Sequence, residues 1–221
     1  MDKIIPSFKK SLFNGSKELI GDLTEYGIDS LLDEGLFKSF PIVGFLVGIK
    51  NTCQNIHDRN LLKQTLQFIK EFNDGTISPE LLDKYKKNID NNSKKLEDEL
   101  GRVLILLNGN VELEKSKMLA NLFRNYINNK ISWDEFCEFS EIVKMLFVKD
   151  INYLRKIYSG EFKRRSIVPD YVYNRLVSLG LITMTLKGLY PDAPGSLSFS
   201  NEQNISLSKI GGKFYQSIIL S

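Results

Sequence analysis

Pro169-Asp-Tyr-Val-Tyr-Asn-Arg-Leu-Val-Ser-Leu-Gly-Leu-Ile182, followed after a polar stretch by Ile205-Ser-Leu-Ser-Lys-Ile-Gly-Gly-Lys-Phe214, decides how the end of this 221-residue chain folds. Val172, Leu176, Val177 and Leu179 recur at helical spacing and supply a core face, and Gly180 is a helix stop. Leu181-Ile182 opens a strand, a polar loop leads back to a second strand, and Leu207-Ser208 opens a closing helix. The pattern predicts a small winged-helix-like α+β module over residues 159–221, a layout that serves DNA binding or protein docking.

Upstream the pattern is helical. Ile4, Ile5, Phe8, Leu12 and Phe13 recur at three- and four-residue steps. Leu61, Leu62, Leu66, Phe68, Ile69 and Phe72 mark an amphipathic helix that stops at Asn73-Asp-Gly75. Ser78 as N-cap, Pro79 in the first position and Glu80 in the first turn open the next. A helix through Leu96, Leu100, Val103, Leu104 and Leu107 follows, then one over 111–127. Ser132-Trp-Asp-Glu135 is a capping box for a helix read as running from Trp133 to about Ile157. The expected fold is mainly α: a helical bundle over residues 1–158, with the linker Ser159–Ser166 leading into the module.

Hydrophobic residues at 42% and charged residues at 26% suit a folded chain rather than a disordered one. The net charge of +3 is unevenly spread: residues 151–221 carry nine Lys/Arg against four Asp/Glu, whereas 1–150 are slightly acidic. That asymmetry points to a nucleic acid or an acidic partner for the C-terminal part. Cys53 and Cys137 are two thiols far apart in apolar surroundings, expected to be buried and reduced, which excludes a disulfide framework. The N-terminus lacks the continuous apolar run of a secretory signal, so the expected location is cytoplasmic.

The most apolar segment is 36–49, with Phe40, Pro41, Val43, Gly44, Phe45, Leu46 and Gly48. It is too short to span a bilayer alone, since a span needs about 20 apolar residues. Gly44 and Gly48 share a helix face and permit close approach of another helix. Three readings stay open for it: buried core, transient membrane contact, or an interface with a partner or a second copy.

Asn73-Asp-Gly-Thr-Ile-Ser-Pro-Glu80 and Asn128-Asn-Lys-Ile-Ser-Trp-Asp-Glu135 resemble each other and half of a calcium-binding loop. Lys70 or Arg124 would stand at the first ligand position, where an oxygen donor is required, so both read as capped polar turns. His57 is the only histidine and reads as a surface or capping residue. The acidic triplet Glu97-Asp98-Glu99 and the group Asp134, Glu135, Glu138 and Glu141 make a two-metal site only if their neighbours are ignored, and the face shared by Asp134, Glu138 and Glu141 reads as solvated. Neither a phosphate-binding loop nor a nucleophile elbow is present. No metal or cofactor is implied, and the expectation is a protein that is not an enzyme. Lys163, Arg164 and Arg165 would serve phosphate contacts, with Asn174 and Arg175 as candidate base readers.

The order of an amphipathic start, Phe40-Pro-Ile-Val-Gly-Phe-Leu-Val-Gly-Ile49, Ile56-His-Asp-Arg59, a helical middle, and Leu179-Gly-Leu-Ile182 with Leu207-Ser-x-x-Gly-x-x-Phe214 resembles bacterial and prophage proteins similar to the abortive-infection alpha group. The resemblance implies phage defence or a prophage accessory role through binding a protein, and it carries over no catalytic residue. A DNA-binding regulator and a membrane-active effector are the alternatives.

Overall fold

A computed structural model describes residues 4–14, 41–48, 56–186 and 203–219. The chain divides into two compact units between Lys144 and Met145. It is mainly helical, with a two-stranded antiparallel sheet near the C-terminus.

The first unit contains α1 (Ile4–Asn14), α2 (Pro41–Gly48), α3 (Ile56–Asp74), α4 (Pro79–Asp90), α5 (Ser93–Leu96), α6 (Arg102–Asn108), α7 (Leu113–Ile127) and α8 (Trp133–Met145). Helices α3 and α7 pack along each other and carry the core. Phe123 of α7 is its hub: its ring lies 5.7–6.1 Å from those of Phe68, Phe72, Tyr85, Tyr126 and Phe136. The caps read from sequence are present. Ser78 Oγ accepts the Leu81 N–H at 3.5 Å, and Ser132 and Glu135 exchange backbone-to-side-chain bonds of 2.9 and 3.1 Å.

The two similar stretches are side by side. Asn128 Oδ1 accepts the Ser78 N–H at 3.0 Å, and Asn128 Nδ2 donates to Thr76 O at 3.1 Å. Arg124, buried in α7, reaches the end of α3, donating to Glu71 O and to Asn121 Oδ1. The first turn thus holds a guanidinium supplied by the chain itself.

Between α5 and α6 the helix passes through a π-helical turn, Glu97–Gly101. It divides the acidic triplet: Glu97 and Asp98 are exposed, but Glu99 is 4% exposed. Its two oxygens accept hydroxyls from Tyr85 and Tyr126, each at 2.7 Å. Burial foremost, and then the Glu99 carboxylate, raise both phenol pKa values above the ordinary tyrosine value. Cys137 is only half-buried, against the expectation of a fully buried thiol, and Cys53 lies outside the described residues. His57 is exposed in the first turn of α3.

The second unit contains α9 (Val148–Tyr158), a 3-10 turn (Arg165–Ile167), α10 (Asp170–Ser178), β1 (Ile182–Leu186), β2 (Gln203–Leu207) and α11 (Lys209–Ile219). The expected linker Ser159–Ser166 falls inside it. Helix α10 ends in a Schellman motif, with Leu181 N–H bonded to Leu176 O and Gly180 N–H to Val177 O, both at 2.9 Å. Gly180 has φ +69°, a conformation glycine adopts without penalty. The strands pair in the register Ile182↔Leu207 to Leu186↔Gln203. Ser208 joins the turn to α11: its N–H donates to Leu181 O, its Oγ donates to Gly180 O, and the same Oγ accepts the Gly211 N–H. A Cβ on Gly211 would stand 1.9 Å from Leu181 O, so α11 approaches this turn closely because that residue is glycine.

Candidate binding surface

The helix expected from Trp133 to Ile157 is two helices, broken at Leu146-Phe147. Asp150 makes the break. It sits at the third position of α9, where its carboxylate accepts the Phe147 N–H at 3.0 Å and satisfies an open amide of the helix start. The same carboxylate, 1% exposed, receives the Arg175 guanidinium through two bonds, Nε to Oδ2 at 2.6 Å and Nη2 to Oδ1 at 2.7 Å. Such a fork fixes orientation as well as charge. These bonds raise the Arg175 pKa above its already high ordinary value.

Arg175 is thereby held against two aromatic rings. Its guanidinium carbon lies 4.5 Å from the Phe147 ring centroid and 5.9 Å from that of Tyr171. Both rings face solvent, Phe147 at 60% and Tyr171 at 67% exposure. Helix α10 buries Val172 and Leu176 and presents Tyr171, Asn174, Val177 and Ser178 outward. Val177 was expected in the core; it falls on the outward face.

Two other cations of this unit, Arg165 and Lys156, are similarly engaged, while Lys163 and Arg164 are exposed. Arg165 pairs with Asp170, donates to Val168 O at 2.7 Å and lies 3.9 Å from the Tyr173 ring centroid. Lys156 pairs with Glu161 at 3.0 Å and lies 4.7 Å from the Phe162 ring centroid. The cations at 156, 165 and 175 therefore each sit between a carboxylate and a ring. The backbones of Lys163 and Arg164 lie along the free edge of β2: Lys163 O accepts the Ile205 N–H at 2.8 Å, and Arg164 bridges Asn204. Arg165 and Arg175, read from the sequence as phosphate and base contacts, each have part of their guanidinium on a carboxylate: Nη2 of Arg165 on Asp170, and Nε and Nη2 of Arg175 on Asp150. Asn174 is exposed.

In the apolar segment, Pro41, Ile42, Val43 and Gly44 open α2, which packs on α1. Ile42 N–H donates to Ser11 Oγ at 3.0 Å. Val43 is 4% exposed, as the buried-core reading of this segment expects, and Gly44 is exposed. Phe45, Leu46 and Gly48 continue the same helix, and Phe40 lies outside the described residues. Among the described residues no helix is long and apolar enough to cross a membrane.

The sequence places Phe147 in the apolar stripe of one continuous central helix, whereas its ring is exposed, and it gives Asp150 no role. An acid in the first turn, as Asp150 is in α9, is a usable sign of a helix start, but the apolar period running through Leu146 and Phe147 hid it. Comparison with family models, curated proteins and solved structures finds no match for this chain.

Proposed function

We propose that this chain is a non-enzymatic binding protein that docks a protein partner through the Phe147–Arg175–Tyr171 face of its second unit. The observation that carries this reading is an arginine fixed by a buried carboxylate between two exposed rings. Aromatic and arginine side chains dominate the binding energy of protein interfaces. An arginine already held in place loses little freedom when a partner arrives. The order helix, strand, strand, helix supports a winged-helix-like reading of this unit, a scaffold used for docking as well as for DNA.

Protein is preferred over DNA because the guanidinia at 165 and 175 already pair with Asp170 and Asp150, so a phosphate would compete with a carboxylate at each. Membrane insertion is disfavoured because it would pull Ile42 and Val43 out of their contact with α1. The biological setting, phage defence or a prophage accessory role, rests on the family resemblance.

The test is phage plating on a bacterial host expressing the wild-type chain or Phe147→Ser/Tyr171→Ala, with a photo-crosslinker placed at Asn174 in parallel. Both substitutions are on exposed rings, so the variant should fold and melt as the wild type does. The expected result is reduced plating and a discrete crosslinked protein for the wild type, both lost in the variant. Equal protection by the variant would reject this face as the docking site; unchanged plating with wild type would reject the defence role.

A further inference from the structure

The first unit carries a groove of about 310 Å³ between α1 and α4, bounded by Leu96 of α5. Its makeup follows from helical spacing. On α1, Pro6, Lys9, Lys10 and Phe13 lie at steps of three and four, and on α4, Lys86 and Asp90 lie four apart, so each set shares one face. Pro6, Phe13 and Leu96 supply apolar surface, while Lys9, Lys10 and Lys86 supply three positive charges. The one carboxylate of the lining, Asp90, is engaged with Lys9.

The remaining two cations have other surroundings. Lys86 Nζ lies 5.6 Å from the Phe13 ring centroid. Lys10 is exposed and has no ion-pair partner among the described residues. Three cations facing one anion repel one another, and an arriving anion would relieve that repulsion. Small-ligand sites are clefts of about 300–1,000 Å³ with an apolar lining and a few placed polar groups. Lysine binds phosphate as a point charge, and an aromatic ring offers a surface on which a base can lie.

We propose that this groove binds a nucleotide, with the base against Phe13 and the phosphates on Lys9, Lys10 and Lys86. The site stands apart from the docking face of the second unit and does not depend on it.

The experiment is calorimetric titration of the full chain with ADP, sodium pyrophosphate and adenosine at matched ionic strength. ADP should bind most tightly, pyrophosphate less so, and adenosine least. Lys10→Glu, at an exposed position, should weaken ADP by about tenfold. Asp90→Asn removes the groove's carboxylate and releases Lys9, so it should tighten ADP by about threefold. This gain cannot come from misfolding. Absence of ADP binding at millimolar concentration overturns the proposal, as does an ADP affinity unchanged in both variants. Pyrophosphate binding as tightly as ADP overturns the nucleotide assignment.

Discussion

In the first unit the charged groups of Glu99 and Arg124 are buried, one against two tyrosine hydroxyls and the Lys95 ammonium, the other against the end of α3. In the second, Asp150 is equally buried, yet its partner Arg175 emerges between rings that face solvent. Burying a charge costs stability unless hydrogen bonds replace its water. The first unit uses that constraint inwardly, to fix how helices meet. The second uses it to hold a surface group in one orientation. A buried charge can therefore specify either a core or a contact surface, and the neighbours of its partner tell which.

Five variants test this contrast, and Trp133, the only tryptophan, reports on the first unit by fluorescence. Phe123→Ala should have the largest effect, about 4 kcal/mol from loss of the central ring. The urea transition followed at Trp133 should shift to much lower denaturant. Asp150→Ala should cost about 3 kcal/mol by removing the three bonds its carboxylate accepts, two from Arg175 and one from the Phe147 N–H. That loss should appear in far-ultraviolet dichroism and leave the Trp133 transition unmoved. The pair Asp150→Leu/Arg175→Met should regain much of the stability while the docking face stays disabled, which separates folding from function at one site.

Tyr85→Phe removes one of the hydroxyls on Glu99 and should cost about 2 kcal/mol. Its pH dependence has a definite sign. The fold raises the Tyr85 and Tyr126 pKa values by burial first and by Glu99 second, so neutral phenol is the favoured form. The stabilisation is full below about pH 10, where unfolded tyrosine titrates, and falls as the pH climbs beyond it. Wild type should lose stability above that pH more steeply than Tyr85→Phe when both are melted at successive pH values. Gly180→Ala should cost least, about 1 kcal/mol, from forcing a side chain into the left-handed turn after α10.

Much of the fold was legible because its signals are local. Apolar residues at helical steps, Ser78 with Pro79, Ser132 with Glu135, and Leu179-Gly-Leu-Ile182 each specify structure within a few residues. What was hidden depends on distant partners. The break before α9 is fixed by Asp150, whose carboxylate is held by Arg175, 25 residues along the chain. The burial of Glu99 needs the π-helical turn that points it at Tyr85 and Tyr126, while Glu97 and Asp98 beside it stay in water. Counting Lys and Arg against Asp and Glu gave the right excess of charge in the C-terminal part. It gave no sign that the guanidinia at 165 and 175 were already committed.

The Glu97–Gly101 turn holds one residue more than an α turn would. Each residue of an α-helix advances its face by about 100°. Deleting Asp98 would let the backbone relax into ordinary α hydrogen bonding while throwing α5 and α6 out of angular phase. With Leu100, Val103 and Leu107 still in the core, Lys95 would swing away from Glu99, its ion-pair partner at 3.5 Å, and Leu96 from the groove it borders. The exposed Asp98 should accept many other side chains, yet its loss should not be tolerated: here the chain is constrained in its count of residues more than in their identity.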